Sequence, residues 1–337
     1  MVKKLRFYFK KWGLKKTVKN ILYRITTSQR KRRYGKNNAD TTIYVIRSIN
    51  DKSPFYTGPI HNLLANYFYV LSHIKYANEK GWIPVVDQLH YPVYNSEKKE
   101  VYGTKNAWEY FWKQPCDISL QEAYLSKKVI LSKQSWFSQW NMGYDLEKYY
   151  DKDVLMMYHE LSEQVPLNER TQKHIDITKK KLFPVKSRVL GVAIRYGGHS
   201  VKCYHHGLGH PIQPEAEELL DIVQKRYQEW NMDYVFVTSD EKNIIVLFEE
   251  VFKEKLIILP RVRCVEGKRY DKNDPNPMYS NQNIFQTSLD YLTEMELLSQ
   301  CTALIGSITS GLRYAIVRNN MNYEHCEILN NGFFNEN

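Results

Sequence analysis

No stretch of the 337-residue chain reaches about 18 uninterrupted apolar residues, so no helix that spans a bilayer is expected. The five cysteines, Cys116, Cys203, Cys264, Cys301 and Cys326, are scattered, odd in number and form no CxxC pair. That argues against a disulfide framework and against a structural zinc site. The amino terminus lacks both an apolar core and a small-residue cleavage site, so a secretory signal is not supported and a cytoplasmic protein is expected. The P-loop pattern GxxxxGK[ST] and the dinucleotide pattern GxGxxG are both missing; GLGHP at 207–211 carries only half of the latter, far beyond a strand end. Acidic residues are absent from 1–36.

That last absence decides how the charge is read. The formal charge of +11 comes from 48 Lys and Arg against 37 Asp and Glu, but 14 of those bases lie in 1–36, which leaves the remainder slightly acidic. A sequence-general nucleic-acid partner is therefore not expected. Within the basic segment, LRFYFKKWGLKKTVKNILYRI spaces Leu5, Phe9, Trp12, Val18, Leu22 and Ile25 among Lys and Arg, a pattern that suits an amphipathic helix on an anionic membrane surface. A solvated tail, or a helix packed on the protein's own body, is the alternative. With 43% hydrophobic and 14% aromatic residues, the rest has ample material for packed cores.

Beyond Lys36 the grammar is that of alternating strands and helices. TTIYVIRSI (41–49), the loop Asn50–Pro59, a 3.6-periodic run over 60–82 ended by Gly81, and IPVVD (83–87) make one βαβ unit. Lys-rich 166–186, with Pro184, reads as a helix-bearing hinge between domains. Strands then follow at 189–196, 233–240, 256–260, 303–306 and 327–330, separated by helices. Thr287 with Asp290 reads as a capping box for a helix over 288–300. The expected class is α/β, with an acceptor-side unit at 37–186, a Rossmann-like unit with a doubly wound parallel sheet at 187–330 and a tail at 331–337.

In such sheets ligands sit outside the carboxyl ends of the strands. Those ends carry Arg195, Gly197 and the loop with His199, Cys203, His205, His206 and His210; then Thr238, Ser239 and Asp240; then Ser307, Thr309, Ser310 and Gly311 at a helix start. An Arg that can fork onto phosphate plus a hydroxyl-rich helix N-terminus, on one sheet, describes a diphosphate cradle. Taken singly, such residues are more often surface groups and helix caps. The histidine cluster has poor zinc spacing and better suits a general base or hydroxyl contacts, with a solvated loop as the alternative. Asp151-Lys152-Asp153 matches a cation-holding Asp-x-Asp only formally, and a surface charge cluster accounts for it better.

The run GVAIRYGG (191–198), HPIQPEAEELL (210–220), YVFVTSDE (234–241) and DYLTEMELLSQCTALIGSITSGLRYA (290–315) resembles the donor half of the fucosyltransferases related to the nodulation, core α1,6- and protein O-fucosyltransferases. GPIHNLLANYFYVLSHIKYANEKGW (58–82) resembles their amino-terminal loop and helix. The resemblance implies a GT-B-like fold of two Rossmann-like α/β domains facing a cleft, and an inverting, metal-independent enzyme with GDP-fucose as donor and no cofactor. It implies Arg195 as the diphosphate clamp, Ser307, Thr309 and Ser310 as further diphosphate contacts, and Glu294 or Asp290 as the reader of guanine. Gly197, Thr238 and Asp240 would approach the nucleotide. His199 and His210 are candidate bases, and His61, Asn62 and Tyr67 candidate acceptor contacts. The family often has two Args where this chain has Arg195-Tyr196. The expected partners are a nucleotide sugar, a polysaccharide or glycolipid precursor, and the inner face of the membrane through 1–36. Another GDP- or UDP-sugar as donor, or a non-catalytic nucleotide-sugar-binding protein, are the competing readings.

Overall fold

The computed structural model describes residues 25–48, 63–93, 95–140, 142–194, 211–263 and 284–334, together with Val18 and Leu22. Two compact units divide the chain, Met1–Asn141 and Met142–Asn337.

The first unit holds β1 (Arg30–Arg32), β2 (Ile43–Arg47), α1 (Leu63–Glu79), β3 (Ile83–Asp87), the single-turn α2 (Leu120–Ala123) and β4 (Val129–Leu131). Its sheet order is β1-β4-β2-β3, with β2 parallel to both β3 and β4 and with β1 antiparallel on the edge. Strand β2 is buried at every position and β3 at all but its first, which is why both read as unbroken apolar runs rather than alternating ones. Pro84 is tolerated because β3 is an edge strand. Helix α1 stops at Gly81, whose φ of +62° a side chain would resist, and the Trp82 amide bonds back to the Ala77 carbonyl at 2.9 Å.

Two boundaries move here. Strand β1 lies inside the segment expected to be a separate basic arm at 1–36. The backbone carbonyls of Thr26 and Ser28 accept bonds from the buried Arg47 guanidinium. The last part of the arm is thus an edge of the sheet, and residues 1–17 of the expected amphipathic helix lie outside the described residues.

The second unit holds α3 (Lys152–Glu163), α4 (Glu169–Leu182), β5 (Val189–Ala193), α5 (Ala216–Glu229), β6 (Tyr234–Thr238), α6 (Lys242–Phe252), β7 (Leu256–Ile257), α7 (Ile284–Leu298), β8 (Ala303–Ser307), α8 (Ser310–Asn319) and β9 (His325–Leu329). All pairings are parallel, in the order β7-β6-β5-β8-β9. The expected doubly wound sheet is present. Leu190, Val192, Val235, Val237 and Ile305 from the strands form one core with Leu219, Val223, Ile245 and Phe248 from α5 and α6.

The helix expected within 166–186 is α4, which packs on α7, while α3 packs on α8, so the stretch is part of the second unit rather than a hinge. The unit therefore starts at Met142, not at 187. The Lys-rich surface that suggested a linker is the solvent face of a helix whose Thr171 and Ile175 are buried. Asp151 is the N-cap of α3, its carboxylate accepting from the amides of Asp153 and Val154, so the Asp-x-Asp pattern is a capping motif. Thr287 lies inside α7, which begins four residues earlier than the capping box implied.

Candidate functional site: the carboxyl edge of the second sheet

Chain order runs outward from β5 through β6 to β7, then returns to the other side of β5 as β8 and β9. The reversal lies between β5 and β8, the position where open parallel sheets bind ligands beyond their carboxyl ends. Those two strands approach closely. A Cβ on Gly306 would lie 2.8 Å from the Ala193 carbonyl oxygen and 2.8 Å from Leu312 Cδ1, so only glycine fits there.

Beyond β8 the chain turns into α8. Thr309 is the N-cap, and its hydroxyl accepts the Leu312 amide at 3.0 Å. Ser307 is buried, whereas Thr309 and Ser310 are half-buried. The amides of Ser310 and Gly311 make no bond among the described residues. Free amides and the positive end of a ten-residue helix at this spot suit a phosphate group. Gly311 also lets α8 lie tightly on α7, since a Cβ there would come within 2.6 Å of Met295 Sδ.

Beyond β6 and β7 lies a buried cluster of charge. Arg261 Nε is 2.8 Å from Glu294 Oε1, and Arg261 Nη2 is 3.0 Å from Asp240 Oδ1. Arg263 Nη2 reaches the same Glu294 oxygen at 3.2 Å. The Ser239 carbonyl accepts from both arginines, at 2.9 and 3.1 Å. Burial pushes the Glu294 carboxyl up, and the two guanidiniums pull against it. Burial likewise works against the charge on Arg261, but Glu294 and Asp240 hold it above the ordinary guanidinium range. Oε2 of Glu294 is buried and has no hydrogen-bond partner among the described residues. A carboxylate fixed by two arginines, with one oxygen left over, can accept from the N–H groups of a ligand.

Of the expected donor residues, Thr238, Asp240 and Glu294 gather on the β6–β7 side, and Ser307, Thr309 and Ser310 form the α8 turn. Asp290 stands one turn before Glu294, bonded to Gln286 at 2.7 Å and outside the arginine cluster. Burial pushes its carboxyl up. Arg195, Gly197, His199 and His210, like His61 and Asn62, lie outside the described residues. Tyr67 does not present a face to an acceptor. It is buried in the first unit's core, 5.1 Å from the Trp112 ring and stacked on Trp108 at 6.0 Å. Its position on α1, among residues buried almost all round, leaves no open side.

Arg261 and Arg263 escaped the sequence reading. They follow β7 in PRVRC and belong to a strand end as much as Arg195 does. They open a long polar stretch after the apolar run LIILP, and no local pattern marks them as partners of Glu294.

No family model and no curated protein matches the chain. Among solved structures, fucosyltransferase NodZ from Bradyrhizobium is similar at a TM-score of 0.46 and 14% identity, over 82% of this chain and 92% of that one. NodZ alpha-1,6-fucosyltransferase soaked with GDP-fucose gives 0.45 and 14%, with the same coverage. POFUT1 in complex with GDP-fucose gives 0.39 and 10%, over 86% of this chain and 74% of that one. Likenesses of this strength assign no family, and the α/β architecture stands on the chain's own two sheets.

Proposed function

We propose that the chain is an inverting, metal-independent glycosyltransferase that transfers fucose from GDP-fucose to a hydroxyl of a cell-surface polysaccharide or glycolipid precursor at the inner face of the membrane. The reading is supported by one observation above the others. Thr238, Asp240, Ser307, Thr309 and Ser310, from the motifs that resemble the fucosyltransferase donor half, lie on the carboxyl edge of a doubly wound sheet, around its switch point, with an open helix N-terminus on one side and a fixed carboxylate on the other.

In this reading the diphosphate lies on the Ser310 and Gly311 amides with the Ser307 and Thr309 hydroxyls beside it, and Arg195 forks onto its outer phosphate. Glu294 Oε2 accepts from the N–H edge of guanine, as an acidic side chain suits that edge. An acceptor hydroxyl attacks the anomeric carbon from the face opposite the diphosphate. Its oxygen forms the new C–O bond as the bond to phosphate breaks, the electron pair leaves with GDP, and the hydroxyl proton passes to a base, His199 or His210. Charge grows on the leaving diphosphate, so the α8 terminus and Arg195 act mainly in the transition state.

A thermal-shift panel of GDP-fucose, GDP-mannose, UDP-glucose and UDP-N-acetylglucosamine tests the donor. A sugar nucleotide at 100 times its Kd adds about 2.7 kcal/mol. GDP-fucose is expected to stabilise most, and no stabilisation by any GDP-sugar overturns the reading.

A further inference from the structure

The first unit carries a second strand-end constellation that the donor chemistry leaves unused. Strand β3 ends at Asp87, which is fully buried yet bonded at both oxygens. Oδ1 accepts the amides of Leu89 at 3.0 Å and His90 at 2.8 Å. Oδ2 accepts the Tyr124 hydroxyl at 2.5 Å and faces His90 Nδ1 at 3.0 Å. A carboxylate can only accept, so this contact puts the ring proton of neutral His90 on Nδ1 and makes Nε2 the acceptor. The Tyr124 ring packs edge-on against the imidazole at 4.8 Å and fixes its plane. Burial and Asp87 keep the Tyr124 hydroxyl protonated. The imidazole is 54% exposed, and Nε2 has no hydrogen bond among the described residues.

This oriented acceptor opens on a cavity of about 720 Å³, within the usual size range for small-molecule sites. Its other walls mix two carboxylates, Glu100 and Glu109, one ammonium, Lys105, and the Gln121 amide with the apolar side chains of Leu89 and Leu125. Those two leucines are 41% and 48% exposed. Two carboxylates against one ammonium disfavour an anionic ligand. Exposed leucines beside hydrogen-bonding groups match a ring with an apolar C–H face and a rim of hydroxyls.

We infer that the cavity at the carboxyl end of β3 is a binding subsite for one neutral sugar ring, with His90 Nε2 accepting a sugar hydroxyl and Asp87 acting as the positioning residue for His90. In the glycosyltransferase reading above, on which this role rests, the ring is a unit of the acceptor glycan.

Saturation-transfer NMR on the full chain with methyl glycosides of glucose, galactose, mannose and N-acetylglucosamine tests it. At least one is expected to bind saturably, and excess GDP is expected to leave that binding intact, because the donor residues belong to the other sheet. His90→Ala removes a half-exposed ring and weakens binding about five- to tenfold, the value of one net hydrogen bond. Gln121→Trp, at an exposed lining position, blocks the cavity without touching Asp87 or His90. Binding that saturates for none of the four glycosides, survives both variants, or is displaced by GDP overturns the inference. A GDP-fucose thermal shift without glycoside binding sinks this subsite alone, whereas glycoside binding without any GDP-sugar shift sinks the donor reading and leaves the cavity a sugar site.

Discussion

Arg261 and Glu294 meet at 2.8 Å with both side chains almost wholly out of water, so each helps to hold the other's charge. Removing Glu294 leaves two buried arginines with Asp240 as the one carboxylate of the cluster among the described residues. Glu294→Ala is expected to destabilise the protein by about 3–5 kcal/mol, the usual cost of an uncompensated buried charge. The double variant Arg261→Met with Glu294→Leu removes both charges and is expected to recover much of that loss, while nucleotide-sugar affinity stays lost. Urea unfolding and a GDP-sugar titration read the two effects separately. A double variant no more stable than Glu294→Ala would show that Asp240 and Arg263, not this pair, set the local charge balance.

Gly306 tests the switch point itself. An added methyl would meet the Ala193 carbonyl at 2.8 Å, a backbone atom that cannot swing aside. Gly306→Ala is expected to cost about 1–3 kcal/mol through overpacking. It should also weaken binding of the donor, because it separates β5 from β8 where the diphosphate is proposed to sit. Thermal unfolding and the donor titration check both parts. Full stability in this variant would mean that the two strand ends have slack.

His73 supplies the pH dependence. Buried on α1 between the Tyr44 hydroxyl at 2.9 Å and the Ser135 carbonyl at 3.2 Å, it is pushed down to about 3, chiefly by burial, with Lys133 and Arg47 adding to the effect and the Ser135 carbonyl opposing it. The unfolded chain takes up this proton near pH 6.5 and the folded chain only near 3. Between those values the unfolded state holds more protons, so stability falls as pH falls, by about 1.4 kcal/mol per unit from this group. His73→Phe should flatten that slope relative to wild type when urea unfolding is followed from pH 7 to 4. Parallel slopes for the two proteins would remove His73 as the cause.

The parallel strands were readable because they are buried on both faces: IPVVD, YVFVT and ALIGS are apolar runs bounded by turn residues, and each falls within a residue or so of its expected place. Strands β1 and β4 were not. RKR and VIL are three residues each, too short for any period to show, and RKR is basic because it forms an edge. Helix α4 was legible as a helix, but lysines on its solvent face outnumber the two residues it buries, so the stretch resembles a linker between units. In the site, Glu294 is implied by the resemblance and sits on α7, where its charge is shared with Arg261 and Arg263, which are more than thirty residues away in sequence. Pairings over that distance leave no local pattern. Tyr67 shows the converse: an aromatic residue beside a candidate loop carries the same letter whether it faces a sugar or the core.

The basic arm yields the last prediction, and the structure changes how it must be tested. Deleting all of 1–36 would remove β1 from the edge of the first sheet and take away the Thr26 and Ser28 carbonyls that satisfy the buried Arg47. Any loss of activity would then reflect unfolding. Deleting 1–22 removes eight of the arm's fourteen Lys and Arg and spares β1. Each base near an anionic surface contributes about 1 kcal/mol at low salt. The shorter deletion is therefore expected to keep the wild-type unfolding midpoint and donor affinity, yet to release the protein from vesicles containing phosphatidylserine. Wild-type protein should leave the same vesicles as salt is raised, because the attraction is screened. If the 1–22 deletion still sediments with vesicles as the full chain does, the arm is not what holds the protein there, and the five bases from Arg30 to Lys36 at the sheet edge become the surface to mutate next.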